Sequence, residues 1–301
     1  MNITRDEYKK GLVALISTLL MWGFLPIYWQ MLVPISSWVI IIYRILTVFL
    51  YSLVVARTKY TFGEIFGPLK DRKTLVTFFF SGLVITANWS IFIYAVNANH
   101  VVQTATGYYI EPLVICLIGN IVFKEKFTKY NLTAIIIAAV AVVILLIHFG
   151  EMPTIALLLA FTFGLYSAIK KSVSQPPILS MVYETMFLAP LALVAILYLE
   201  GTGQGALAVG DMGKYCLMLL CGLLTLIPLT LFAYAAQRVP MFHLGMGEFV
   251  APTITLILGI TVLGESIDMT ETICFLIIWF GLAIFTVGEY KTYKKEYTAG
   301  E

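Results

Sequence analysis

Apolar residues run through this chain in long blocks, without the alternation of a half-buried strand or the one-sided stripe of a surface helix. Ten blocks lie at approximately 11–29, 38–56, 74–96, 103–123, 130–148, 152–169, 178–199, 214–236, 240–263 and 269–288. A bilayer core of about 30 Å takes about 20 such residues at about 1.5 Å each, so every block is read as a membrane span. Backbone groups in lipid need partners within their own segment, which predicts helices. A barrel would show alternating segments of about ten residues, and none is present.

Two of these blocks copy two others 140 positions away. Tyr94, Gly107, Pro112, Gly119 and Glu125 recur at identical spacing as Tyr234, Gly247, Pro252, Gly259 and Glu265. Ungapped alignment of 82–144 with the segment 140 residues on gives 12 identities, about twice the chance level in so apolar a chain. The matched glycines and prolines carry more weight than that total. The chain therefore divides into a first half, 11–148, and a second, 152–288, followed by a tail, 289–301. Each half has five spans, an odd number, so the second begins on the opposite side of the membrane. The predicted architecture is an all-α integral membrane protein of ten transmembrane helices, built as two inverted five-helix repeats around a central cavity.

Composition and charge agree with the pattern. Hydrophobic residues make up 60% of the chain and charged ones 12%, whereas a soluble surface takes about a quarter. With the N-terminus inside, inner connections hold 17 of the 19 Lys and Arg residues, leaving Lys214 at an outer boundary and Arg44 within a span. By the positive-inside rule both termini are cytoplasmic. The polar start, Met1 to Lys10, is followed by no small-residue cleavage site, so the first helix is expected to stay uncleaved. Cys116, Cys216, Cys221 and Cys274 lie in spans without metal-ligand spacing and read as packing residues. No metal, cofactor or nucleic-acid partner is indicated. No GxxxxGK[ST] loop for ATP is present.

The hairpins 88–125 and 228–265 are expected to line the path. Pro112 and Pro252 each remove a backbone donor near mid-membrane and bend the helix. Gly107 and Gly247 act with them as hinges or close-contact points, although a single Pro or Gly is common in any membrane helix. Ionisable residues at depth are the sharpest signal, since each costs at least about 2.5–3.5 kcal/mol. Arg44 and Glu111 lie roughly 10–12 Å below the outer surface, and Glu184 and Glu248 at similar depth from the inner one. Two charge layers follow: an Arg44–Glu111 pair outside, and a like-charged Glu184–Glu248 layer inside that couples to protons or takes a cation. The alternative for Glu184 is a water-filled vestibule. His100 and His243 are read as hydrogen-bonded histidines near the surfaces. Trp22, Asn88, Trp89 and Tyr108 complete the candidate cavity, while most other aromatics are interface anchors. Spans five and ten have few polar residues and would lie peripherally, where a homodimer contact could form. The basic stretch Lys291 to Lys295 would hold the last helix against anionic lipid.

Asn88-Trp89, Phe92, Ala95-Val96-Asn97, His100-Val101, Gly107-Tyr108-Tyr109-Ile110, Pro112-Leu113 and Glu125 together resemble the RarD-type members of the EamA family, in the drug/metabolite transporter superfamily. Trp22-Gly23, Pro26, Tyr28-Trp29, Arg44, Leu165-Tyr166, Lys170-Lys171, Glu184, Ala251-Pro252-Thr253 and Gly264-Glu265 fit as well, over about 11–288. The resemblance implies a ten-helix carrier in a bacterial plasma membrane, its cavity lined by spans one, three, four, six, eight and nine. Two positions depart from the pattern: asparagine is usual where this chain has Glu111, and glutamine where it has Glu248. Both departures point to a more cationic or amphipathic small-molecule cargo, or to altered proton coupling. The expected function is secondary transport of a small organic metabolite or drug by alternating access. The alternatives are a non-transporting receptor or scaffold and an intramembrane enzyme; the latter lacks HExxH, serine–histidine or paired-aspartate arrangements at depth, so no catalytic residue is assigned.

Overall fold

The computed structural model describes residues 4–97, 101–150, 154–262 and 267–298, without the side chains of 93, 96, 97, 101–106 and 293–298. The helices of the first half are α1 (Arg5–Met31), α2 (Ser37–Arg57), α3 (Phe62–Phe66), α4 (Arg72–Asn97), α5 (Val101–Ile121) and α6 (Lys129–Phe149). Those of the second are α7 (Thr154–Ser172), α8 (Pro177–Thr185), α9 (Ala189–Gly201), α10 (Met212–Leu219), α11 (Cys221–Ala236), α12 (Met241–Glu248), α13 (Val250–Thr261) and α14 (Met269–Thr298). Among the described residues, eight helical segments are long and apolar enough to cross a membrane. A ninth is counted if the bent pair α8 and α9 forms one span, and Gly107–Ile121 of α5 is a shorter apolar helix.

Three expected spans are interrupted, each for a local reason. Pro190 in the first turn of α9 cannot donate to the carbonyl of Met186, and the chain bends by 55° between α8 and α9. Pro252 likewise leaves the carbonyl of Glu248 without its helical donor, and α12 ends at Glu248. Between α10 and α11 the Leu217 carbonyl accepts from the Leu220 N–H at 3.0 Å and also from Tyr28 Oη at 2.7 Å, and Tyr51 Oη donates to the Leu219 carbonyl at 3.1 Å. These bonds satisfy a break that lipid would not. A fourth difference lies at the end of α7, which runs to Ser172, past the expected boundary at 169.

The chain folds as two compact units, each drawing on both halves of the sequence. The first comprises Met1–Ile93 and Ile169–Arg238. At its centre α2 packs against α8, α9 and α11, burying Val39, Tyr43, Val48, Ser52 and Ala56. Two glycines 140 residues apart permit the closest approaches. A Cβ on Gly82 would lie 2.2 Å from the Glu184 carbonyl oxygen of α8, and one on Gly222 would lie 2.5 Å from Thr47 Oγ1 of α2. Helices separated only by lipid attract mainly through such packing.

The second unit comprises Tyr94–Ala168 and Val239–Glu301. In it α6 and α14 lie side by side, with Ala134, Ala138, Ala141 and Leu145 against Cys274, Ile278 and Leu282. Alanines on α6 and Gly281 on α14, whose added Cβ would stand 3.3 Å from the Ala134 carbonyl oxygen, keep the two backbones close. At one end of this pair, Asp268 accepts from the Glu271 N–H at 2.8 Å and sits 2.6 Å from His148 Nε2.

That junction has a pH signature. The Glu271 N–H, with His148 beside it, holds the Asp268 carboxyl below the usual carboxylate range. Its stabilisation is therefore present above the unfolded carboxylate pKa, about 3.9, and is lost as pH falls through the lower folded value. Asp268→Asn is expected to lower the thermal midpoint of purified protein at pH 7. The difference from wild type should vanish on acidification, as read by thermal unfolding in detergent across pH.

Candidate functional site: buried carboxylates of a paired helix contact

In the second unit α5 also packs directly against α12. A Cβ on Gly245 would stand 2.6 Å from both the Pro112 carbonyl oxygen and Cys116 Sγ, so only glycine allows these backbones to meet. Pro112 also leaves the Tyr108 carbonyl without its helical donor, one turn away along α5. Glu111 precedes Pro112 and is 6% exposed; Glu248 is the last residue of α12 and is 5% exposed. The charge of Glu248 reaches Glu111. Glu248 Oε1 is buried with no hydrogen-bond partner among the described residues. Two acids from different halves of the sequence thus share one apolar setting. Nearby, Gly107 admits the backbone of α7, where an added Cβ would lie 3.3 Å from the Ala156 carbonyl oxygen, and Tyr108 on the next position is exposed.

Glu125 supplies a second link to the same helix. Its carboxylate accepts from the Met241 N–H at 2.8 Å and the Phe242 N–H at 3.1 Å, the first two donors of α12. A negative charge at a helix N-terminus satisfies otherwise orphaned donors and complements the dipole. A Cβ on Gly119 would fall 2.7 Å from Met241 Cβ and 3.0 Å from Glu125 Oε2, so this glycine keeps the cap open. The repeated Gly-to-Glu spacing therefore has a physical role that the sequence did not disclose. Glu265, its counterpart, lies outside the described residues, as does His100. His243 on α12 meets Glu289 of α14 at 3.0 Å.

In the first unit Arg44 lies against two aromatic rings. Its guanidinium stands 4.1 Å from the Trp89 ring centroid and 5.7 Å from that of Trp29, cation–π contacts that shelter a charge deep in a helix. Asn88, half-buried, precedes Trp89 on α4, and Trp22 packs on Phe232 with ring centroids 5.5 Å apart. The Arg44–Glu111 layer joins residues of different units and stays an expectation.

In the inner layer Glu184 gains a partner the sequence did not assign, while its pairing with Glu248, across different units, stays an expectation. Glu184 is met by Lys170 Nζ at 2.6 Å and accepts from Ser81 Oγ at 2.5 Å, all three residues being buried. Lys170 had been placed in an inner connection. The longer α7 carries it into the interior, where it gives Glu184 an opposite charge. Glu248 has its acidic neighbour, Glu111, within its own unit. The dipeptide Lys170-Lys171 reads from sequence as a boundary, and only its position on an unbroken helix shows that one lysine turns inward. Among the described residues, no group of three or more His, Cys, Asp or Glu is placed to hold a metal ion.

Comparison with known proteins adds a family. The model of the EamA-like transporter family matches residues 9–147 and 152–287. The protein named uncharacterized transporter YojE of Bacillus subtilis is 36% identical over 289 residues, covering 95% of this chain and 96% of that protein. The protein named RarD of Streptomyces exfoliatus is 33% identical, with 96% of this chain and 92% of that one covered. RarD of Escherichia coli is 28% identical, with 96% and 98% covered. A solved crystal structure at 15% identity superposes with a TM-score of 0.71, covering 94% of this chain and 98% of that one, and so shares its fold.

The Lys170–Glu184 pair makes a stability prediction. Removing one partner of a buried pair strands the other charge, at a cost of about 3–5 kcal/mol, whereas removing both is close to neutral. Lys170→Met should therefore melt well below wild type, and Lys170→Met/Glu184→Met should recover most of the loss in thermal unfolding of purified protein.

Proposed function

Because the chain belongs to the EamA-like transporter family, we propose that this multi-pass bacterial membrane protein is a secondary carrier working by alternating access, with substrate and proton exchanging at Glu111 and Glu248. The observation that carries this reading is the buried, unbonded Glu248 Oε1, with the equally buried Glu111 on the helix packed against its own. Two carboxylates in one dry setting repel, and a proton held between them, or a bound cation, relieves the repulsion. Entry of a cationic or amphipathic organic molecule would then displace that proton. The empty, doubly charged site is too costly to carry across the membrane, which couples the two movements. Energy comes from a proton or substrate gradient.

Helix pairing supports two inverted halves of five spans each. In the proposed repeat α2 corresponds to α8 and α9, α5 to α12 and α13, and α6 to α14. Each packs against its own counterpart, as an axis in the membrane plane running between them requires. The Gly82 and Gly222 contacts obey the same relation. The end of α12 at Glu248, ahead of Pro252, is the kind of helix interruption that can border a midplane site. Both termini are assigned to the cytoplasm from the distribution of Lys and Arg. The competing reading, a receptor or scaffold, makes no use of an orphaned carboxylate.

Proteoliposomes containing a pH-sensitive dye, screened with organic amines, amino acids and antibiotics, test the proposal. Wild type is expected to accumulate a cationic compound against proton counterflow. Glu111→Gln and Glu248→Gln should lower that flux at least tenfold and flatten its pH dependence. Wild-type flux and pH dependence in both variants would end the coupling assignment, and no flux of any compound would favour the receptor reading.

A further inference from the structure

A groove of about 400 Å³ lies between α1 and α11 at the N-terminal end of α1, within the first unit. Its mouth is cationic. Lys9 and Lys10 line it, and Arg238 stacks on Tyr234, another lining residue, with its guanidinium 3.5 Å from the ring centroid. Its floor is apolar, made by Val13 and Ala14 of α1 and Leu231 of α11. The spacing of Lys9, Lys10, Val13 and Ala14 sets charge and apolar surface along one face of α1, charge nearest the helix end. Asp6 pairs with Lys10 at 2.6 Å, but both side chains are well exposed, and an exposed pair of this kind is weak enough for a stronger anion to replace.

We infer that this groove binds one anionic phospholipid, its phosphodiester between Lys9 and Lys10 and one acyl chain along Val13, Ala14 and Leu231. The order of the lining selects this occupant. A soluble anion would leave the apolar floor unused, a cationic cargo would be repelled at the mouth, and a zwitterionic lipid would gain little from the lysines. Each lysine at a membrane surface contributes about 1 kcal/mol toward an anionic headgroup, so the pair distinguishes anionic from zwitterionic lipid by about thirtyfold in affinity. The bound chain would fill the space between two helices that otherwise pack directly, α1 and α11, linked deeper in by Thr18 Oγ1 donating to the Pro228 carbonyl at 3.1 Å.

Full-length protein in detergent, titrated with phosphatidylglycerol or with phosphatidylcholine of the same chains and read by native mass spectrometry and thermal shift, tests the site. Phosphatidylglycerol is expected to remain as a single retained adduct and to raise the melting temperature, with phosphatidylcholine about thirtyfold weaker. Lys9→Gln/Lys10→Gln should abolish that preference. Val13→Trp, an apolar side chain at a position 64% exposed, should do the same by occluding the floor. Lys59→Gln, an exposed cation in the connection after α2, should leave it intact. Equal binding of the two lipids, an unchanged preference in both groove variants, or equal stabilisation by glycerol phosphate without chains would overturn the assignment.

Discussion

The approach of α5 to α12 at Gly245 is the contact on which the rest of the proposed site depends. Lipid tails are as apolar as the helices they surround, so helices associate through packing and a few polar bonds rather than by escaping water. A backbone that meets the Pro112 carbonyl with no side chain between maximises that packing. It also brings Glu111 and Glu248 into one apolar setting and leaves Glu125 free to cap the first turn of α12. Any side chain at Gly245 would separate the two backbones and undo all three arrangements together.

Around this contact, the molecule spends its polar groups carefully. Several of the charges that lie within helices have visible partners. Arg44 rests on indole faces, Lys170 and Glu184 answer one another with Ser81, and Glu125 holds a helix end. Glu248 Oε1 has no hydrogen-bond partner among the described residues, and in a medium where an unmet carboxylate costs several kcal/mol, that marks a place where something else binds. The helix breaks obey the same economy: each follows a proline or is met by a tyrosine hydroxyl.

Much of this was legible in the sequence because the signals were long or repeated. Apolar blocks of about 20 residues announce helices whatever their tertiary neighbours, and the 140-residue echo of Gly107, Pro112 and Glu125 needs no structure to be seen. Glu111 and Glu248 stood out because acids are rare at such depth. The failures were local and tertiary. Lys170 looked like the end of a span because a lysine beside a second lysine usually meets water, and nothing in the sequence says that α7 continues with one of them turned inward. The pairing of Glu184 followed from that error. The bend at Pro190 and the break before Pro252 depend on which helices stand close enough to tolerate freed carbonyls. The cap made by Glu125 joins residues 116 positions apart, a distance over which hydropathy carries no information.

The central claim is that two five-span halves of opposite orientation bring their bent hairpins together. Sidedness tests it most directly, in a background lacking the four native cysteines, with Lys126→Cys and Asp268→Cys introduced singly. These positions follow corresponding hairpins of the two halves. In intact cells treated with a membrane-impermeant maleimide, the account predicts labelling at Asp268→Cys from outside, and at Lys126→Cys only after permeabilisation. Labelling of both from the same side would contradict it.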